Sequence, residues 1–145
     1  MKKFAIEEPI YKSALNCYVD CSYDEMIDFV EKKIPNIEFP DGFNKGENDE
    51  AIGTLLDLTD PRKKGSKLRI LWINKNEWFI ADYGSIMHEC IHAAQFVLDD
   101  KGLNTSHLNT EAVAYLAEYY FTQFLAALKP KKHESTRNKP HKKKT

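Results

Sequence analysis

Cysteine is scarce and odd in number: Cys17, Cys21 and Cys90 are the only three. A disulfide scaffold needs more of them at an even count, so a small stapled fold is excluded. Cys17 and Cys21 stand in C-x3-C spacing without a second Cys/His pair at finger spacing, and read as buried or free thiols. Cys90 reads as a small hydrophobe. No run approaches the roughly 18 apolar residues that a membrane span requires. The basic start Met1-Lys2-Lys3 is followed by Phe4-Ala5-Ile6 and then Glu7-Glu8-Pro9, so no secretory apolar region develops. The expectation is a cytoplasmic protein with no membrane partner. No internal repeat is visible.

Net charge is also small, at −1, but it hides an asymmetry. From Lys129 to Thr145 there are eight Lys/Arg and one acid, Glu134. Removing these from totals of 21 and 22 leaves 13 basic and 21 acidic residues in positions 1–128, a formal −8. The chain therefore reads as one domain, 1–128, with a basic tail, 129–145, too poor in apolar residues to order alone. Such a tail can make weak, non-specific nucleic-acid contact by neutralising phosphates. No aromatic residue interleaves its charges, so base stacking is not supported.

The body alternates strand and helix signals. Leu15, Cys17 and Val19 alternate with Asn16 and Tyr18, which predicts a strand. Ser22 with Glu25 is a capping-box pair opening a helix from Tyr23 to about Lys33, with Met26, Phe29, Val30 and Ile34 as its apolar stripe. Residues 36–50 read as a long polar loop. Strands are expected at Ala51–Leu58 and Lys67–Asn74, joined by a hairpin loop around Asp60-Pro61 to Gly65. The second is apolar on both faces and belongs inside a sheet. A helix from about Asp82 to Asp100 ends at Gly102, with Met87, Ile91, Ala94 and Leu98 facing the core. A last helix runs from Asn109 or Thr110 to before Pro130, with Val113, Leu116, Ala117, Tyr120, Phe124 and Leu128 along one side. The fold class is α+β, a small antiparallel or mixed sheet packed on two or three helices.

His88-Glu89-Cys90-Ile91-His92 is an H-E-x-x-H sequence on the first of these two long helices. Positions i and i+4 lie one turn apart on one face, so both imidazoles can reach one metal ion. Glu89 projects beside them, able to touch a zinc-bound water without being a ligand. Zinc (Zn2+) lowers the pKa of such a water toward 7, and a carboxylate base then takes its proton. A catalytic zinc wants three protein ligands. Two candidates exist for the third: Glu111, with eighteen residues between it and His92, and His107, with fourteen between. Glu111 is favoured by its place in the first turn of a helix, where the dipole supports a carboxylate.

His88 to Glu111 reads H-E-x-x-H-x18-E, which resembles the gluzincin pattern of zincin metallopeptidases. Glu111-Ala112-Val113-Ala114-Tyr115-Leu116 is similar to a helix of small metallopeptidase-like proteins of phages and prophages. The resemblance covers residues 68–125. It implies a minimal zincin-like domain hydrolysing a peptide or protein substrate, with His88, His92 and Glu111 as zinc ligands and Glu89 as general base. It also implies that the strand nearest the motif helix, expected at Lys67–Asn74, binds an extended peptide by strand addition. Thermolysin-like members carry an aspartate where this chain has Tyr115. Glu118 is then a candidate for orienting an imidazole, and Tyr115 for stabilising an oxyanion, with Tyr83, Tyr119 and His107 unranked beside it.

SprT-like DNA-associated proteases are similar in H-E-x-x-H-A and a third histidine, here His107, although Ser106 and Leu108 do not give it the glycine-flanked setting of that family. Metzincins are excluded, because Gln95 and Leu98 stand where they need glycine and histidine. A further reading keeps the fold and the zinc without catalysis, as an interaction protein whose 36–50 loop meets a partner.

Overall fold

The computed structural model describes residues 1–48, 51–74, 80–103 and 110–128, with backbone only at 80–82. His107 and the 129–145 tail lie outside the described residues. The elements run β1 (Lys2–Glu8), β2 (Ser13–Val19), α1 (Tyr23–Lys33), β3 (Gly53–Thr59), β4 (Lys67–Ile73), α2 (Ile80–Asp100) and α3 (Thr110–Leu128). The architecture is α+β: one mixed four-stranded sheet in the order β1-β2-β4-β3, with β2 and β4 parallel and the outer pairs antiparallel. No helix among the described residues is long and apolar enough to cross a membrane.

β4 explains the layering. Leu71 and Ile73 point into a core shared with β2, α2 and α3, while Ile70 and Trp72 point into a second core under α1. A central strand covered on both faces has no polar side, which is why its sequence does not alternate cleanly. In the second core Trp72 packs edge-on against Tyr23 at 5.0 Å and donates to the Cys21 carbonyl at 3.0 Å. The long loop before β3 closes that core: Ile37 is buried, and Tyr23 donates to the Phe43 carbonyl.

Local signals behave as their chemistry requires. Ser22 accepts from the Glu25 amide at 3.1 Å and Glu25 accepts from the Ser22 amide at 2.8 Å, the reciprocal capping box. Gly102, at φ +68°, ends α2, with Leu103 donating to the Leu98 carbonyl and Gly102 to that of Asp99. The three thiols are all buried, and burial pushes Cys90 up to about 12.

Three expectations need correction. β1 was not foreseen; its inward residues are Ile6 and Glu8, and a buried carboxylate breaks the apolar alternation. In α2 the core row is Ile86, Cys90, Ala93, Ala94, Val97 and Leu98, whereas Ile91 is 37% exposed. In α1, Ile27 takes the buried place expected for Phe29, whose ring instead lies under the Lys3 ammonium at 3.6 Å.

The strand nearest the motif helix is not β4, as expected, but β3. β4 is hydrogen-bonded on both sides and has no free edge; α2 lies chiefly along β3, which is the edge strand. Asn74 donates to the Ile52 carbonyl at 2.9 Å, and Gly53 is in register with Ile73. In an antiparallel ladder bonding alternates, so the even residues of β3 bond β4 while Gly53, Leu55, Asp57 and Thr59 turn their backbone groups away from β4.

Arg69, 6% exposed, ties three elements together. Its guanidinium pairs with Asp57 of β3 at 3.0 Å and with Asp100 of α2, and donates to the Phe96 carbonyl at 3.2 Å. Removing it strands a half-buried carboxylate. Arg69→Ala is therefore expected to cost about 3 kcal/mol or more, while Arg69→Met with Asp57→Leu costs much less. Chemical denaturation of both variants checks this, and equal losses would refute it. In the β3–β4 hairpin, hydrogen bonds from Arg62 hold Asp60 down to about 2. A depressed carboxylate stabilises above its ordinary value of 3.8 and loses that contribution as pH falls toward 2. Asp60→Asn should flatten this part of a stability–pH curve; an unchanged slope would contradict the assignment.

Candidate metal and catalytic site

The middle of α2 presents His88 and His92 on the side away from its buried row; His88 is exposed and His92 half-buried. Their Nε2 atoms lie 2.9 Å apart, with the rings nearly perpendicular at 87°. Two nitrogens each about 2.0–2.1 Å from a tetrahedral zinc are about 3.3 Å apart, so this pair already stands close to the span of two ligands. The i, i+4 spacing fixes that convergence through the helix alone.

His92 Nδ1 is 3.3 Å from the Gln95 side-chain oxygen. An amide oxygen accepts only, so this contact favours the tautomer with the proton on Nδ1, whose Nε2 then accepts from His88 Nε2. Gln95 is on the same helix face one turn on, a position considered in the sequence only for the glycine it lacks. Glu118, the residue expected to orient an imidazole, is exposed on α3.

Glu89 turns the other way, toward the sheet. Its Oε2 accepts the Leu55 amide at 2.9 Å, one of the β3 groups turned away from β4. Burial raises its pKa; the nearby His92, the Leu55 amide and His88 oppose this in that order. A carboxylate moved toward neutrality is a better proton acceptor for work near neutral pH. The approach is close: a Cβ on Gly53 would meet Ile73 Cδ1 at 2.6 Å and the Trp72 carbonyl at 3.3 Å, with Glu89 Cγ at 3.9 Å. Neither the Leu55 amide nor the need for glycine at 53 can be read from the motif, since both depend on which strand borders α2.

An open cleft of about 630 Å3 lies between these elements, lined by Ala51, Ile52, Gly53, Gly84, Ser85, His88 and Glu89. Among the described residues no three His, Cys, Asp or Glu side chains gather closely enough to hold a metal. Glu111 is exposed in the first turn of α3 and is not joined to the histidine pair. Tyr115 is not brought to Glu89 either. Its described partners are Glu8, Tyr11 and Tyr119, at the β1–β2 turn. Tyr119 donates to the Glu7 carbonyl there, and Tyr83, 39% exposed, precedes the cleft residue Gly84.

Compared with known proteins, the chain matches no family model, no curated protein and no solved structure. If Gln95 sets the His92 tautomer, Gln95→Ala weakens zinc about tenfold, in the range for loss of a partner behind a ligand. Competition with a chromophoric chelator measures this, and unchanged affinity would remove Gln95 from the site.

Proposed function

We propose that the protein is a zinc-dependent peptidase with a minimal zincin-like fold. The observation that carries the reading is the convergence of His88 and His92 at 2.9 Å beside a glutamate held on the edge strand. His88 and His92 hold the ion, with Glu111 as third ligand on the strength of the gluzincin-like spacing. When bound, zinc supplies Lewis acidity toward the scissile carbonyl and the attacking water.

The chain's own residues do the rest. Glu89 keeps Oε2 on the Leu55 amide, so its position is set by the sheet, and Oε1 is the oxygen we assign to the water. That oxygen takes the proton of the attacking water and returns it to the departing amine. The outward backbone groups of Gly53, next to Glu89, offer an extended chain the hydrogen bonds of an added strand. The substrate is thus a peptide or an unfolded protein segment lying along β3.

One observation favours a non-catalytic zinc protein instead: the third donor is not gathered with the histidines among the described residues. The two readings separate cleanly in experiment. His88→Ala and His92→Ala should each abolish stoichiometric zinc binding. Glu111→Ala should weaken it at least tenfold while His107→Ala does not; the reverse result would support the SprT-like alternative. Glu89→Gln should retain zinc and lose hydrolysis of a casein or peptide-library substrate by 100-fold or more, the size expected of a lost general base. Zinc binding without turnover in the unaltered protein would leave the non-catalytic reading standing.

A further inference from the structure

A polar pocket of about 510 Å3 lies at the end of the sheet opposite His88 and Glu89. Three chain segments wall it: the start of β2 with the turn before it, the start of β4 with the hairpin before it, and the end of α2. Ala14 and Val97 are the only apolar side chains among the described lining residues. Ser13, Ser66 and Asn16 add hydroxyl and amide groups. From His92 to Asp100 is eight residues of helix, about 12 Å at 1.5 Å each, so the pocket is separate from the candidate metal site.

Charge sets this lining apart. Lys12, Lys67, Arg69 and Lys101 face the pocket against one carboxylate, Asp100. Arg69 pairs with that carboxylate, while Asp57, outside the lining, pairs with Arg69 at 3.0 Å and with Lys67 at 3.3 Å. Lys12 and Lys101 remain, and neither makes an ion pair among the described residues. The pocket thus keeps two uncompensated positive charges in a domain whose formal charge is −8. A concave wall of one sign concentrates anions.

The backbone at Lys12 points the same way. Its φ is +52°, a conformation that glycine or asparagine takes at lower cost than lysine. The turn is held by other groups, since Glu8 accepts the Ile10 and Tyr11 amides. An ammonium has no part in those contacts, whereas the pocket it lines gives it one. Backbone strain retained at such a position marks a residue kept for use.

We infer that this pocket binds the phosphate group of a small phosphomonoester, with Lys12 and Lys101 as its two charge partners. A phosphate dianion matches two unpaired ammoniums, which serve as point charges toward it. The Ser66 hydroxyl and the Asn16 amide are placed to hydrogen-bond the rest of the molecule. The volume is that of a site for a small organic ligand rather than a bare ion. No aromatic ring is among the described lining residues to stack a base, which favours a compact, hydroxyl-bearing ester over a nucleotide.

Isothermal titration of the full chain with glycerol 3-phosphate tests this, at constant ionic strength and about pH 8, where the ester is doubly charged. The unaltered protein should bind it, and sodium chloride or glycerol should not replace it. Lys12→Asn and Lys101→Gln should each weaken binding about tenfold or more, the size of one lost charge-assisted hydrogen bond. Lys32 is exposed on α1, across the sheet, and Lys32→Gln should leave binding unchanged. Asparagine accepts a positive φ, so Lys12→Asn should melt no earlier than the unaltered protein. No binding by the unaltered protein, equal weakening in all three variants, unchanged affinity in Lys12→Asn and Lys101→Gln, or early melting of Lys12→Asn each overturns the inference. A single-stranded oligonucleotide that binds through Lys12 and Lys101 where glycerol 3-phosphate does not also overturns it, in favour of a nucleic-acid backbone.

Discussion

A buried guanidinium decides where α2 lies on the sheet. Arg69 extends from the central strand to Asp57 on the edge strand and to Asp100 and the Phe96 carbonyl on the helix. A charge that deep is tolerated only with its partners in place, so the helix cannot slide along its axis without stranding it. From Asp100 back to Glu89 is eleven residues, about 16 Å at 1.5 Å each. From Arg69 to Ile73 is four residues of strand, about 13 Å at 3.3 Å each. The two lengths differ by about 3 Å, less than the reach of the Arg69 side chain, and Glu89 arrives beside Gly53, the register partner of Ile73. The position of the candidate base is thus a consequence of an ion pair at the far end of the helix.

The second contact on that seam, Glu89 on the Leu55 amide, does two things at once. It satisfies one donor of a sheet edge, a row of groups that otherwise invites pairing with other chains. It also immobilises a carboxylate whose burial disfavours its charge. Holding an ionised group where desolvation opposes it costs stability, and the amide and the two imidazoles offset part of that cost. Such compensation is what a residue placed for chemistry, rather than for packing, is expected to need.

What could be read from the residues follows the range over which each signal acts. The Ser22–Glu25 capping box, the Gly102 terminus and the i, i+4 histidines are settled within one or two helical turns, and the folded chain has all three. The two-faced run of β4 correctly implied an interior strand. β1 was missed because Glu8, which accepts the Ile10 and Tyr11 amides in the turn, is buried for hydrogen bonding and so looks like a surface residue in the sequence. The core stripe of α2 was displaced because Ile91 and Met87 are as apolar as Ile86 and Val97, and only the packing against the sheet and α3 chooses between the two arcs. Which strand is the edge depends on the order β1-β2-β4-β3, a non-local fact that no local pattern carries.

The same distinction bears on the third ligand. His88 and His92 face away from the buried row of α2, and Cys90 between them is fully buried, so the thiol is turned from any ion the histidines hold. The core side of α3 is closed to this purpose as well, since its buried residues Leu116, Ala117, Tyr120 and Phe124 offer no carboxylate or imidazole. Among the described residues, neither the buried row of α2 nor that of α3 offers the histidine pair a further donor. Glu111 and Glu118 are both on the exposed side of α3, which keeps a carboxylate ligand from that helix chemically sensible without a buried charge. The Glu89–Leu55 contact, by contrast, lies on the sheet side of the helix, against the packed core. The motif is thus divided in its mechanics: a carboxylate held on the sheet and two imidazoles on the outer side of the helix.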